Sequence, residues 1–439
     1  MRASGKKAPR LVRTFFSVLL GSVWTFYFRG RTVAQIFRDA FYDEFGTWPL
    51  AYMPYGGADF GEVVAVAEGM AESTDGAFYK SWIASADRLN QEAEASLKNG
   101  HRTSARELFL RSSVFYATSY HPLYGHPVDP LLLEAFRNQV ETLNRGLTLF
   151  ETPITPLRIP FELGSMPAYL IPAERHEGEV RPLIIFNNGY DATITDMYFA
   201  SAVAASRRGY HCLLFDGPGQ GEMLYEQGIP LRADWETVVG AVVDFAVQQP
   251  NIDPERIALS GWSLGGHLAP RAASSEHRIA ALIADPGTWS IAGDFRGFIA
   301  KVTGRSPDPG VGLGDLDNDT IGKLDAFIRK DRGFNWKIVQ RGFWVHGVDN
   351  LRDYLRSAEQ FTMDGRAELI RCPTLVTMAE HDSLGARAPS FLEALTCPKT
   401  LLRFSAAEGA GDHCEMQNRS LLNQRTLDWL DEQFSAGNS

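Results

Sequence analysis

A glycine-flanked serine at the end of a buried strand constrains this chain more than any other feature. Residues 257–260 are predicted to end a short buried strand, and the next five, Gly261-Trp262-Ser263-Leu264-Gly265, fit the pattern G-x-S-x-G. The serine of this pattern stands on a sharp turn between a strand and a helix, where glycine two residues away on either side avoids a Cβ clash. The helix that follows directs its first backbone amides at a reacting carbonyl oxygen. The pattern predicts a covalent nucleophile at Ser263, with a simple Gly/Ser turn as the alternative.

Composition indicates an ordinary globular protein. The chain has 439 residues, 44% hydrophobic and 22% charged, which is enough for one large core and a second domain. A formal net charge of −10 argues against a nucleic-acid partner, because no domain-wide basic surface is present. Reduced thiols in a cytoplasmic protein, not disulfides or a zinc site, are the simplest interpretation of four cysteines without a C-x-x-C pair: Cys212, Cys372, Cys397 and Cys414.

The N-terminus combines basic residues with an apolar run at residues 15–28. A secretory signal or membrane contact by residues 15–28 is one interpretation of that combination. However, no small-residue cleavage site follows the run, and the run is too short to span a bilayer. We therefore favour a helix of a folded N-terminal domain and a cytoplasmic location.

Hydrophobic periodicity divides the chain into four segments. Residues 1–150 are predicted to be helical, with helices at 33–45, 78–97, 104–116 and 129–147 and with Thr103 as a cap. Residues 289–370 are predicted to be a second helical segment, with helices at 327–345 and 351–361. We expect these two segments to pack together as a cap.

The other two segments, residues 151–288 and 371–439, alternate short apolar runs with helical patterns. Such alternation predicts an α/β fold with a mostly parallel eight-stranded sheet and right-handed crossovers. The helical segment 289–370 is then an insertion after the sixth strand. Strands are predicted at 157–161, 165–171, 182–188, 210–215, 256–260, 279–284, 373–378 and 400–405.

Three chemically reactive side chains follow carboxyl ends of predicted strands. Their order along the chain, Ser263, Asp382, His413, is that of the α/β-hydrolase fold. In that arrangement the serine attacks a carbonyl carbon, the histidine transfers the proton, and the aspartate orients the imidazole. Glu380 and Asp412 compete with Asp382 for the last role, and a loop histidine without catalytic function is the alternative for His413.

An oxyanion hole requires two amide donors. Leu264, directly after the serine, is predicted to supply one, and Tyr190 the other, because Gly189 allows a close backbone approach. No metal-binding motif is found, and the glycine-rich residues 216–221 lack the lysine of a phosphate loop, so we expect a tight turn and no cofactor. His267, His346 and His381 are interpreted as structural or cavity residues.

Four motifs together resemble one group of α/β-hydrolases. This group includes the fungal fusarin-type hydrolases, the polyketide chain-shortening hydrolases and the bacterial dihydropseudooxynicotine hydrolase. The motifs are Asn187-Asn188-Gly189-Tyr190-Asp191, Asp216-Gly217-Pro218-Gly219-Gln220-Gly221, Gly261-Trp262-Ser263-Leu264-Gly265-Gly266 and Gly409-Ala410-Gly411-Asp412-His413-Cys414-Glu415. The resemblance implies an α/β-hydrolase fold with a helical N-terminal cap, and it carries the triad and oxyanion roles onto the residues named above.

The resemblance also implies a chemistry. Members of this group often cleave a carbon–carbon bond next to a ketone in a retro-Claisen reaction, and others act on esters or lactones of bulky polyketide-like or aromatic substrates. One member uses an extra acidic residue near the serine, and Asp191 and Asp294 are its possible counterparts in this chain. We take Asp191, Trp262, Asp294 and His346 as candidate pocket residues.

Several functional alternatives stay open at this stage. They are a general carboxylesterase, a non-hydrolytic acyl transferase or cyclase, and a ligand-binding protein on the same fold. A small-molecule substrate is the expected partner, and the sequence leaves a homodimer open.

Overall fold

The computed structural model describes residues 35–436, apart from the side chains of Asp294 and Ala436. The apolar run at 15–28 and the start of the helix predicted from residue 33 lie outside this range. Among the described residues, no helix is both long and apolar enough to cross a membrane.

One eight-stranded sheet forms the centre of the described part of the chain. Its spatial order is β1-β2-β4-β3-β5-β6-β7-β8. Strand β2 is antiparallel to both of its neighbours, β1 and β4. The six strands β4-β3-β5-β6-β7-β8 are parallel, so the predicted mostly parallel sheet is confirmed. The strands are β1 Leu157–Phe161, β2 Gly164–Ile171, β3 Arg181–Asn187, β4 His211–Phe215, β5 Ile252–Trp262, β6 Ala281–Asp285, β7 Thr374–Ala379 and β8 Lys399–Phe404.

Apolar runs explain why these strands lie at the centre. In β5, Ile257, Ala258 and Leu259 have no exposed surface, as expected for a strand covered on both faces. The sheet and its flanking helices share one large apolar core with the N-terminal helices. A smaller core, which includes Ile299 and Leu355, lies within the insertion.

Helices precede, surround and interrupt the sheet. The α-helices are Ala40–Gly46, Trp48–Ala51, Phe60–Gly69, Asp75–Lys98, Arg102–Ser119, Pro130–Thr148, Ile194–Met197, Val203–Arg207, Gly221–Tyr225, Trp235–Ala246, Gly265–Ala273, Gly293–Thr303, Asn318–Lys330, Arg332–Phe334, Phe343–His346, Leu351–Glu359, Ala388–Ala394 and Arg419–Ala436. Two π-helical segments are Tyr198–Ala202 and Asn335–Gly342. The 3₁₀ turns are Met53–Tyr55, His121–Leu123, Leu313–Asp315, Ala367–Leu369, Leu384–Arg387, Ala406–Glu408 and His413–Glu415.

Three local predictions are wrong. The helix predicted at 33–45 begins only at Ala40, where the carboxylate of Asp39 accepts the amide of Phe41 at 2.9 Å and caps the helix. The single helix predicted at 327–345 is interrupted at Asp331, whose backbone is extended and whose carboxylate accepts a hydrogen bond from the amide of Phe334. A capping side chain within the apolar periodicity therefore marks the end of one helix and the start of the next. Thr103 does not cap its helix, because the helix already begins at Arg102, with His101 at the N-cap position.

The N-terminal helices and the insertion contact each other directly. The indole Nε1 of Trp336 donates to the carbonyl oxygen of His121 at 2.8 Å, and the Trp336 ring stacks on Tyr124 with centroids 5.5 Å apart. Lys337 pairs with Glu44 at 3.0 Å. Residues more than 200 positions apart in sequence thus bring the two helical segments into contact.

Candidate active site

Ser263 lies on a sharp turn directly after β5. Its φ angle of 60° is in the left-handed region, and its backbone amide donates to the carbonyl oxygen of Asp285 at 2.7 Å. A Cβ atom on Gly261 would lie 1.9 Å from the carbonyl oxygen of Gly265, and one on Gly265 would lie 2.4 Å from that of Asn187. Both flanking glycines are therefore required for this turn, as the sequence pattern predicts.

A continuous hydrogen-bonded chain joins the three residues predicted as a triad. Ser263 Oγ lies 2.9 Å from His413 Nε2, and His413 Nδ1 lies 2.8 Å from Asp382 Oδ2. The other carboxylate oxygen of Asp382 accepts the amide of Leu384 at 2.9 Å, and this side chain is only 2% exposed. The aspartate is thus held in one orientation toward the imidazole.

The two competing carboxylates are engaged elsewhere. Glu380 accepts a hydrogen bond from the amide of Ala406 at 2.8 Å. Asp412 accepts the amide of Gln417 at 3.1 Å. Asp382 is therefore the carboxylate that the structure brings to His413.

The environment of His413 favours its protonated form. Burial disfavours the imidazolium, but the negative charge of Asp382 and the hydrogen bond to it outweigh burial and raise the pKa of His413 above its ordinary value. An imidazole with a raised pKa is a stronger base toward the serine hydroxyl.

The loop after β3 packs against the serine turn. A Cβ atom on Gly189 would lie 2.8 Å from the Cβ of Ser263 and 2.9 Å from the amide nitrogen of Leu264. Gly189 therefore lies against the serine turn and beside the Leu264 amide, and the next amide along the chain is that of Tyr190, the second predicted oxyanion donor. We call residues 189–191 the oxyanion loop.

The glycine-rich turn at 216–221 has a role that sequence reasoning missed. Gln220 Nε2 donates to the carbonyl oxygens of Asn188 and Gly189 at 2.9 and 3.1 Å. Asp216 accepts the side-chain amide of Asn188 at 2.7 Å. The turn thus supports the oxyanion loop through the side chains of Gln220 and Asp216.

Comparison with known proteins identifies the family. Residues 186–422, more than half of the chain, match the model of the alpha/beta hydrolase family. The chain belongs to this family. It is therefore a hydrolase, and the resemblance inferred from four sequence motifs is confirmed.

Similar proteins include two fungal hydrolases. The hydrolase acrC of Aspergillus aculeatus is 30% identical over 414 residues, which cover 88% of this chain and 94% of that protein. The 20-hydroxy-prefusarin hydrolase FUS2 of Gibberella moniliformis is 29% identical, with the same coverage of 88% and 94%. The solved structure of a 2,6-dihydroxy-pseudo-oxynicotine hydrolase shares the fold, with a TM-score of 0.69 and 22% identity over 88% of this chain and 96% of that one.

The candidate pocket residues of this hydrolase divide into two environments. Asp191 forms an ion pair with Arg341 at 2.6 Å, and the Nε2 atom of His346 lies 2.6 Å from the hydroxyl of Tyr190. These residues adjoin the oxyanion loop. Trp262 is buried, with the guanidinium of Arg419 5.2 Å from its ring. The side chain of Asp294 lies outside what the structure describes.

A buried charged cluster below the triad has no sequence signature. Asp285, at the end of β6, pairs with Arg419 at 3.2 Å and accepts the hydroxyl of Thr377 at 2.9 Å. Arg419 also donates to the carbonyl oxygen of Cys414 at 2.9 Å. Burial, with the nearby charge of Asp285, raises the pKa of Glu415 well above its ordinary value. The cluster links strands β6 and β7 to the loop that carries His413.

Replacement of Arg419 by methionine is expected to lower the free energy of unfolding by about 3–5 kcal/mol, because it leaves a buried carboxylate without its partner. Urea denaturation followed by circular dichroism measures the loss. Arg425→Met is a matched control on the same helix, because Arg425 pairs with Glu408 at the surface, where solvent and salt screen the pair and its loss has little effect on stability. Equal losses in the two variants would contradict a stabilising role for the buried cluster.

Among the described residues, one group has metal-ligand geometry. The ligand atoms of Asp382, His413 and Cys414 lie within 4.8 Å of one another. However, both ring nitrogens of His413 are engaged, one with Asp382 and one with Ser263. This arrangement suits proton transfer, because a metal would have to break the chain of hydrogen bonds.

Proposed function

We propose that this alpha/beta hydrolase is a cofactor-free serine hydrolase that cleaves a carbon–carbon bond next to a ketone, or an ester or lactone bond, in a bulky small molecule. The observation that carries the proposal is the unbroken chain from Ser263 through His413 to Asp382, with Gly189 packed beside the Leu264 amide. The proposal assigns a residue to each role that the reaction needs: the nucleophile, the base, the carboxylate that orients the base, and the two oxyanion donors.

In the acylation step, Ser263 Oγ attacks the substrate carbonyl carbon while His413 Nε2 takes the hydroxyl proton. The charge that develops on the carbonyl oxygen is stabilised by the amides of Leu264 and Tyr190. Collapse of the tetrahedral intermediate breaks the bond to the leaving group, an alkoxide from an ester or an enolate from a β-diketone. His413 returns the proton to that group.

In the second step, water replaces the leaving group. His413 takes a proton from the water, the hydroxide attacks the acyl carbon, and Ser263 Oγ leaves with the proton from the imidazolium. Asp382 stabilises the imidazolium in both steps. The products are a carboxylic acid and an alcohol or a ketone.

Aromatic side chains of the N-terminal helices near the serine turn support a bulky apolar substrate. The Trp48 ring lies 6.5 Å from Trp262, the residue before the nucleophile, and 4.9 Å from the ring of His121. We propose that residues 35–150 and 289–370 act together as a cap that encloses the substrate. The names of two similar proteins, which specify prefusarin and pseudo-oxynicotine compounds, also support a bulky substrate.

Ester hydrolysis by a carboxylesterase is the second candidate, and one contact favours it. Asp191, one possible counterpart of the extra acid of a carbon–carbon hydrolase, is held in an ion pair with Arg341. A carboxylate engaged in that pair is not free to act beside the serine as the extra acidic residue does in that member of the group. Product analysis with a β-diketone and with the ester of matching shape separates the two functions, since cleavage of the ester alone excludes carbon–carbon cleavage.

The test of the proposed serine mechanism is covalent labelling. A fluorophosphonate is expected to phosphonylate the wild-type protein at Ser263, with fluoride as the leaving group, and mass spectrometry of peptides locates the adduct. Ser263→Ala is expected to remain unlabelled. An adduct at another residue, or none with a probe of minimal size, would contradict the proposal.

A further inference from the structure

The oxyanion loop is attached to the insertion by polar side-chain contacts that the proposed reaction does not use. The hydroxyl of Tyr190 lies 2.6 Å from His346 Nε2, and His346 Nδ1 lies 2.7 Å from the hydroxyl of Ser357. Asp191 pairs with Arg341 at 2.6 Å. All these partners of Tyr190 and Asp191 belong to residues 335–359 of the insertion.

A third contact restrains the Tyr190 ring on its face. The guanidinium carbon of Arg341 lies 4.6 Å from the centroid of that ring, within the range of a cation–π interaction. Arg341 therefore contacts both residues, Asp191 through an ion pair and Tyr190 through a cation–π interaction with its ring. From the N-terminal helices, the Tyr124 hydroxyl adds a hydrogen bond to the carbonyl oxygen of Asp191 at 3.0 Å.

Burial keeps both groups of the hydrogen bond between Tyr190 and His346 neutral. His346 is 6% exposed, and burial, together with the charge of Arg341, lowers its pKa to about 3. Burial raises the pKa of Tyr190 well above its ordinary value. The imidazole therefore carries one proton, so that one nitrogen donates and the other accepts, and the chain from Tyr190 to Ser357 can be fully satisfied.

We propose that Tyr190, His346 and Arg341 form a latch through which the insertion positions the backbone amide of Tyr190 for the oxyanion. This inference rests on the proposed serine mechanism. The amide is bonded to the Cα atom of Tyr190, so a side chain fixed at its hydroxyl and at its ring face limits rotation of that residue. His346 and Arg341 are positioning residues, because they act through Tyr190.

Geometry explains why such restraint matters. Before the Tyr190 amide in the chain, Gly189 packs against the serine turn. After it, the side chains of Tyr190 and Asp191 are bound by His346 and Arg341 of the insertion. An oxyanion donor acts only when its hydrogen points at the developing charge, and a displacement of about 1 Å costs on the order of 100-fold in rate. The latch is thus expected to affect the reaction rate more than substrate affinity.

The test compares variants that break the same bond from its two ends. Tyr190→Phe removes only the hydroxyl, His346→Leu removes the ring nitrogens, and His346→Gln restores a polar partner. We expect Tyr190→Phe and His346→Leu each to lower kcat for an ester and the fluorophosphonate labelling rate in parallel, by about 10-fold or more, with KM changed by less than about 3-fold. The double variant is expected to be no slower than the slower single variant, and His346→Gln to recover part of the rate.

Tyr116→Phe is the matched control. It removes another tyrosine hydroxyl bond, to Asp87 within the N-terminal helices, and is expected to retain the wild-type rates even if the melting temperature falls. Wild-type labelling rates in folded Tyr190→Phe and His346→Leu, or an effect confined to KM, would overturn the latch while leaving the serine mechanism intact. Failure of the wild-type protein to label at Ser263 would overturn both.

Discussion

Replacement of Ser263 by alanine is expected to lower kcat by about 10⁶-fold, and His413→Ala by a similar factor. The two side chains act as one unit, because the hydroxyl is a weak nucleophile until the imidazole, 2.9 Å away, takes its proton. The double variant is therefore expected to be about as slow as either single variant, with the residual rate arising from substrate binding and the oxyanion donors. Steady-state hydrolysis of an activated ester measures all three rates.

Controls separate this outcome from loss of the fold. Both alanine variants are expected to keep the wild-type circular dichroism spectrum. In His413→Ala, buried Asp382 loses one hydrogen bond but keeps the one from the amide of Leu384, so a lower melting temperature with an unchanged fold is expected. Additive losses in the double variant would mean that Ser263 and His413 act in separate steps. Near-wild-type turnover in either single variant would exclude the serine mechanism.

Local sequence chemistry was sufficient to predict the residues that meet at the sheet edge. Ser263 could be located because two glycines are needed where a Cβ atom would approach a carbonyl oxygen to 1.9 or 2.4 Å. Asp382 and His413 could be located because each follows the carboxyl end of a parallel strand, and those ends meet at one edge. The presence of each strand and the order of these three side chains along the chain both follow from short-range sequence patterns.

Long-range polar pairs could not be predicted in the same way. Arg341 lies 150 residues from Asp191, and Arg419 lies 134 residues from Asp285. Neither pair has a motif, because each depends on how the insertion or the last helix packs onto the sheet. The latch and the buried cluster therefore required the three-dimensional structure.

Helix boundaries in the insertion show the same limit on a smaller scale. The apolar periodicity continues across Asp331, so the pattern alone predicts one helix at 327–345. In the structure, the backbone of Asp331 is extended and its side chain caps the next turn. A capping residue inside a periodic segment is recognised only when the packing on either side is known.

Asp382→Asn is expected to lower kcat by about 10⁴-fold without unfolding the protein, because asparagine keeps the shape but neither fixes the correct imidazole tautomer nor stabilises the imidazolium. It is also expected to change the pH dependence. Catalysis needs neutral His413, so activity is present above the pKa of His413 and is lost as the pH falls through it. Asp382 raises that pKa, and the acid limb of kcat/KM should therefore lie at higher pH than the pKa of an ordinary histidine in the wild type and move to lower pH in the variant.

Asp412→Asn separates the effect of Asp382 from that of any nearby carboxylate. Burial raises the pKa of Asp412 to about 6, so this group titrates close to the acid limb, but its carboxylate accepts a backbone amide and does not contact the imidazole. The control is expected to retain kcat within about 10-fold and to shift the acid limb less than Asp382→Asn does, since only a through-space charge is removed. If the two variants moved the limb equally and slowed turnover equally, Asp382 would not be the residue that orients His413. A larger shift in Asp382→Asn, together with its much lower kcat, would assign the raised pKa and the orientation of the imidazole to the same 2.8 Å contact.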